Sequence, residues 1–200
     1  MNYLALDTSG SHLTVLLGGD GGNRTYFNEN CSLKHSVVLM EAIENVLSSA
    51  GLNAEDIDVF CCCLGPGSFT GIRIGVATVK GLAYALKKKV LGITSFDVLA
   101  YNNTAGNSVA AVDAKHGHVY AAEYAGGELT SLYGYVSVEE VKGYGKRVLA
   151  AAPVDGLDVT AVSLADGLRA AAEAKLHLAT SDIETLIPLY IRKSQAEEGR

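Results

Sequence analysis

Gly65-Pro-Gly-Ser-Phe-Thr-Gly-Ile-Arg-Ile-Gly75, continuing to Lys80-Gly-Leu-Ala83, is the stretch on which the fold turns. It follows an apolar run, residues 57–64, that does not alternate with polar residues and so reads as a strand buried on both faces. Strand, glycine-rich turn and a helix to about Leu86 are the parts of an α/β protein. The turn is not a P-loop, because no Gly-Lys-Ser/Thr follows. Nor is it the dinucleotide fingerprint: after Gly65 and Gly67 the third glycine, Gly71, comes one residue late. Backbone N–H groups at such a helix start suit an anion; the plainer reading is a tight turn with Ser68 or Thr70 as N-cap. Gly71, Gly75 and Gly81 inside a helix each cost about 1 kcal/mol relative to alanine, so they call for a reason. Small residues four apart let another backbone come close. Beside them Ile72, Val76, Val79 and Ala83 form an apolar row, and Lys87, Lys88 and Lys89 put positive charge where the helix dipole favours it.

Upstream, residues 3–6 form a short apolar strand ending in the turn formers Asp7-Thr8-Ser9-Gly10-Ser11. Residues 12–17 and 24–28 are two further strands, separated by Gly18-Gly-Asp-Gly-Gly22. A helix over about 34–50 carries Leu39, Ile43, Val46, Leu47 and Ala50 at helical spacing, with Gly51 as C-terminal cap. Val38 and Ala42 widen its apolar stripe, which suggests packing on two sides. Downstream, residues 90–93 are a strand and Ser95 caps a helix through Tyr101. The pattern then restarts. A strand over 108–112 ends at Asp113, a second covers 119–124, and Gly126-Gly127 precedes a third through 136. Ser137 caps a short helix, residues 147–151 are strand-like and 164–174 helical. The order of elements repeats, though the residues hardly do, and two α/β lobes are expected: 1–103, and a shortened second lobe over 104–200.

A chain of 200 residues, 48% apolar and 19% charged, can bury a core without staples and belongs to the globular class. Its net charge of −6 opposes a broad phosphate-neutralising surface, so if the protein serves RNA its partners do most of the gripping. Cys61, Cys62 and Cys63 are adjacent on a strand and point to alternate faces. They cannot converge on one metal and read as small apolar core residues. Met1-Asn-Tyr-Leu-Ala-Leu-Asp7 lacks a basic region and a cleavage pattern, and no stretch reaches the roughly 18 to 20 apolar residues of a membrane span. The expectation is a cytoplasmic protein that makes no membrane contact.

Asp7 and Asp113 each end the first strand of a lobe, where a carboxylate could hold magnesium-bound phosphates. The alternative is an aspartate closing its own turn by backbone hydrogen bonds. No Walker lysine accompanies them. His116 and His118, two apart in a turn, read as solvent-facing side chains.

The Gly65–Gly75 run closely resembles the signature of the TsaB (YeaZ) family. Leu6-Asp-Thr-Ser9, His35-Ser36, Val112-Asp-Ala114 with Val119-Tyr120, and Pro188-Leu-Tyr-Ile-Arg192 fall in that family's order along nearly the whole chain. The resemblance implies a two-lobed actin-like ATPase (ribonuclease H-like) fold, each lobe a mixed sheet flanked by helices. It implies a non-catalytic subunit that supports the catalytic protein TsaD in forming N6-threonylcarbamoyladenosine in tRNA. TsaE-type ATPase would join that pair, tRNA would be met through the complex, and a homodimer is a further expected state. The partner interface implied lies on the first two helices, at His35, Leu39, Ile43, Gly71, Ile72, Gly75, Val76 and Val79. TsaD-type relatives carry two metal-binding histidines four apart on the first helix; here His35 is followed by Leu39, so no metal site and no catalytic residues are expected. Asp7, Thr8, Ser9, Gly65, Gly67 and Asp113 would outline a degenerate nucleotide cleft, with ATP or ADP as its ligand within the complex. Lys115 stands where the family usually has arginine, losing the bidentate fork. Two rivals stay open: an independent ATPase or metallopeptidase-like enzyme of the superfamily, and a homodimeric binding module.

Overall fold

The computed structural model describes residues 1–32 and 34–192. The first three strands, β1 (Asn2–Asp7), β2 (Leu13–Gly19) and β3 (Arg24–Asn28), form an antiparallel meander. The helix α1 (His35–Ser48) then leads to β4 (Val59–Cys63), α2 (Phe69–Leu86), β5 (Lys89–Ile93) and α3 (Ser95–Ala100). β4 lies parallel to β1 and β5 parallel to β4, giving the order β3-β2-β1-β4-β5. The second half repeats this with β6 (Asn107–Lys115), β7 (His118–Ala125), β8 (Glu128–Ser137), α4 (Val138–Gly143), β9 (Arg147–Ala150), β10 (Thr160–Ala161) and α5 (Leu164–Lys175). Its order, β8-β7-β6-β9-β10, has the same antiparallel and parallel pairings. The molecule is thus a duplicated, two-lobed α/β fold, each lobe a five-stranded mixed sheet flanked by helices.

β4 reads as a continuous apolar run because the first sheet is covered on both faces. Phe60 and Cys62 face α1 and α2, packing with Leu39, Ile43, Ile72 and Val79. Val59, Cys61 and Cys63 face the opposite side, where Leu168, Ala171 and Ala172 of α5 pack. Burying each of the larger of these side chains stabilises the lobe by roughly 1.5–3 kcal/mol. All four cysteines are buried, and burial pushes the thiols of Cys61, Cys62 and Cys63 up, keeping them protonated.

Two boundaries differ from the sequence reading. The N-cap of α3 is Thr94, in a capping box with Asp97, so Ser95 is already inside the helix. The chain also does not stay in the second lobe after residue 104. α5 returns to the first sheet, where Arg169 donates to the Leu17 carbonyl (3.2 Å) and Tyr3 to Glu173 (3.0 Å). Thr180 and Val90 then exchange backbone hydrogen bonds of 3.0 and 2.8 Å. The apolar faces of α5 and of the first sheet complete each other, and a cut at 103/104 would expose both. α3 is buried along its whole length between the lobes, and its Asp97 accepts from Tyr124 (2.8 Å) and pairs with Lys175 (2.6 Å). No helix of the described residues is long and apolar enough to cross a membrane.

Candidate functional site

The site is the cleft between the lobes, and each lobe brings one aspartate to it. β1 ends at Asp7, whose Oδ1 accepts the Ser9 N–H at 2.8 Å while Oδ2 lies 3.0 Å from His12 Nε2. Asp7 is 1% exposed. Burial works against its charged form, but the adjoining His12 and the Ser9 hydrogen bonds outweigh that and hold the carboxyl at about 2. For His12 burial disfavours the imidazolium, yet Asp7 wins and raises it. Near the end of β6, Asp113 Oδ1 accepts the Lys115 N–H, also at 2.8 Å, and Oδ2 pairs with Lys115 Nζ at 2.5 Å. Here too partial burial opposes ionisation, and the Lys115 bonds override it and lower the carboxyl. Each aspartate therefore closes its own turn and keeps its own basic partner, His12 or Lys115.

The cleft has an inner chamber of about 280 Å³ and an outer groove of about 700 Å³, sharing Ser9, Gly10, Ser11, Val112, Asp113 and Lys115 as walls. Apolar side chains such as Val98, Leu99, Val154 and Leu164 line the chamber, and Ser32, Ser36, Ser68 and Thr70 turn the groove into a hydroxyl-rich surface. The Asp7–Ser11 turn is locked to the glycine-rich loop: Ser68 N–H donates to the Ser9 carbonyl at 2.6 Å, and a Cβ on Gly67 would stand 2.2 Å from that oxygen. Ser68 is the N-cap of α2.

Of the six residues expected to outline the cleft, Asp7, Ser9, Gly67 and Asp113 do so. Thr8 and Gly65 stand behind it. The Thr8 hydroxyl donates to the Gly71 carbonyl at 2.7 Å, and Gly65 packs against Ile72. His35, Leu39, Ile43, Gly71, Ile72, Gly75, Val76 and Val79, expected at a partner interface, are buried within this chain, and His35 and Gly71 also form part of the groove wall. The glycines make room for their own chain: a Cβ on Gly71 would lie 2.0 Å from the Thr8 carbonyl, and one on Gly75 2.5 Å from Thr8 Oγ1. The helical period identifies an apolar stripe but does not say whether sheet or partner covers it. The outward surface holds Val37 and Met40 on α1 and Ala77, Gly81 and Tyr84 on α2, with Val37 76% and Tyr84 77% exposed.

His35 Nε2 lies 2.8 Å from the His12 carbonyl, and Leu39, one turn along, is in the core. His118 stacks flat on Tyr135 with centroids 4.5 Å apart. Among the described residues no group of three His, Cys, Asp or Glu is placed to hold a metal ion. Sequence reasoning missed His12 as the partner of Asp7 and the buried Ser9–Cys63–Ser95 cluster, whose polar atoms lie 3.2–3.6 Å apart. A histidine opening the second strand of a hairpin whose first ends in aspartate was the available signal for the first; nothing local announces the second.

Residues 28–148 match the family model described as TsaD, tRNA N6-adenosine threonylcarbamoyltransferase. The tRNA threonylcarbamoyladenosine biosynthesis protein TsaB of Escherichia coli K12 is 34% identical over 128 residues, covering 62% of this chain and 55% of that one. The protein of the same name in Haemophilus influenzae is 32% identical over 138 residues, with 67% and 58% covered. The alignments thus span little more than half the length of these curated relatives. A crystal structure from Pseudomonas aeruginosa, of an uncharacterized protein with similarity to the peptidase YEAZ, superposes with a TM-score of 0.77 at 26% identity and covers 96% of this chain and 99% of the other. With the duplicated sheets and the glycine-rich loop in place, the chain belongs to the TsaD family and, within it, to the TsaB (YeaZ) group.

Proposed function

We propose that this protein is a non-catalytic subunit in the formation of N6-threonylcarbamoyladenosine in tRNA, docking a TsaD-type catalytic subunit on the outward face of α1 and α2. The observation that carries the reading is the likeness to proteins named for threonylcarbamoyladenosine biosynthesis, within a family whose model is that of the transferase. The cleft supports the non-catalytic part. Asp7 and Asp113 are paired with His12 and Lys115, and His35 is committed to a backbone carbonyl. The surface supports the docking part: Val37, Met40 and Tyr84 are large apolar side chains exposed on the two helices that cover one face of the first sheet.

The test is co-expression with the TsaD-type protein of the same organism, followed by light scattering. A one-to-one heterodimer is expected, and Val37→Glu combined with Tyr84→Ala should weaken it at least a hundredfold while leaving the fold intact, since truncating central interface anchors costs 2 kcal/mol or more each. Failure of the two folded proteins to pair, or pairing indifferent to both substitutions, would refute the assignment. A symmetric dimer of this chain that the same substitutions dissolve would favour the homodimeric module instead.

A further inference from the structure

One motif in the sequence serves neither the cleft nor the helical face: Pro188-Leu-Tyr-Ile-Arg192. Leu186 is buried in the first lobe beneath α1 and α2. From there residues 187–192 run without helix or strand, and the Leu189 N–H donates to the Leu64 carbonyl (2.8 Å) just past the end of β4. Tyr190 stacks on Phe69, the first residue of α2, with centroids 4.3 Å apart, and its hydroxyl accepts from Arg73 Nε at 2.9 Å. The Arg73 guanidinium sits 4.0 Å over the same Phe69 ring, which completes a three-part clasp on the first lobe. Two residues on, Arg192 lies 4.5 Å over the ring of Tyr135 on β8, which stacks in turn on His118 of β7. Leu189, just before the first clasp, and Ile191, between the two, pack into the apolar layer formed by α3 and the second sheet. Thr70 and Ile74 of α2 and Tyr120 of β7 line the outer groove, so both clasps hold elements that form its walls.

We propose that residues 186–192 are a latch that ties the second lobe to the first turn of α2 and thereby fixes the width of the outer groove, with Tyr190 and Arg192 as its two clasps. The lobes are already joined at the inner chamber through α3 and the Asp97 contacts to Tyr124 and Lys175. A single crossing permits rocking about it; a second crossing at the groove removes that freedom. Both clasps use exposed side chains, Tyr190 being 39% exposed, so each can open without unpacking a core. The latch is therefore the weaker of the two crossings and the one that sets how often the groove widens.

Pulsed electron resonance distances across the groove test this on the full chain. The native cysteines are all buried, so spin labels can be placed selectively on Ser36→Cys and His116→Cys, two exposed positions, one in each lobe. One narrow distance distribution is expected for the otherwise unchanged protein. Tyr190→Ala and Arg192→Ala should each raise the long-distance population about three- to tenfold, the range set by loss of one aromatic or cation–π contact. Tyr190→Phe, which keeps the stack and loses the Arg73 bond, should fall between. An unchanged distribution in the folded Tyr190→Ala/Arg192→Ala double variant would overturn the latch. Should that variant not fold, Arg73→Ala, an exposed change outside the strap, takes its place: widening supports the latch and an unchanged groove overturns it.

Discussion

The two lobes have one strand order and very different helices. In the first, α1 has 14 residues and α2 has 18; in the second, α4 has 6, and the described residues 151–159 between β9 and β10 contain no helix at all. The hairpin strands go the other way, with 9, 8 and 10 residues in β6–β8 against 6, 7 and 5 in β1–β3. Only the strands are needed to bring Asp7 and Asp113 to the cleft, and both lobes keep them. The long helices serve another purpose: they give the first lobe a broad outer surface that the second lobe lacks. The aspartates repeat the comparison at atomic scale. Their turn-closing hydrogen bonds are both 2.8 Å, but Asp7 is sealed against a nearly buried histidine while Asp113 pairs in the open with a lysine.

The largest effect expected from breaking this comparison is at Gly71. Its α-carbon faces the Thr8 carbonyl so closely that a methyl group must displace either β1 or α2. Gly71→Ala should cost about 3 kcal/mol or more in urea unfolding, at the upper end of overpacking costs. In the second lobe Gly143→Ala, at the end of α4 with nothing within 4 Å, should change stability by less than about 1 kcal/mol. Similar losses at the two sites would mean that the loop–turn contact is not what holds the first lobe's end of the cleft.

The aspartates come next. Asp7→Asn leaves His12 nearly buried without its counter-ion and should destabilise by about 3 kcal/mol. Asp113→Asn breaks a solvent-facing pair and should cost about 0.5 kcal/mol or less. The pH profile sharpens the contrast. Asp7 titrates at about 2 in the folded chain against 3.8 unperturbed, so its contribution is complete above pH 3.8 and disappears as pH falls through 2. The His12 value is raised above 6.5, so its contribution is complete below pH 6.5 and is lost as pH rises through the folded value. Wild-type stability should therefore fall on both sides of that window. Asp7→Asn should flatten both limbs, which chemical denaturation at a series of pH values would detect. If the alkaline limb persists in Asp7→Asn, another group is responsible for it.

Much of this was legible in the sequence, for reasons that also explain the rest. Short strands broken by Asp, Gly and Ser clusters located both meanders, and the unalternating run at 57–64 told of a sheet covered on two faces. The repeated strand order followed from the repeated punctuation. The glycines of α2 were visible as an anomaly, but sequence cannot distinguish a helix approached by its own strand from one approached by a partner. Gly71 and Gly75 are the first kind. The return of α5 to the first sheet was hidden because an alanine-rich helix fits either lobe, and the Tyr3–Glu173 contact joins residues 170 positions apart. Asp7 and Asp113 were recognisable as a pair; that His12 and Lys115 partner them depends on how each turn folds back.

Gly81 supplies the smallest and most discriminating prediction. Unlike Gly71 and Gly75 it faces outward, and nothing lies within 4 Å of where its Cβ would be. Gly81→Ala should accordingly stabilise the isolated chain by about 1 kcal/mol through helix propensity, a rise of about 3 °C in Tm for a protein of this size. Ala77, four residues before it, and Tyr84, three after it, lie on the same side of α2 by the helical period. If that side docks a second helix, the added methyl group occupies the line of closest approach, and the variant that is more stable alone should bind its partner about tenfold more weakly. Opposite signs in the two measurements would mark the glycine as kept for contact with another molecule. A gain in stability with no change in binding would move the docking surface off α2 and toward Val37 and Met40 on α1, leaving the two lobes distinguished by helix length but not by the use α2 makes of it.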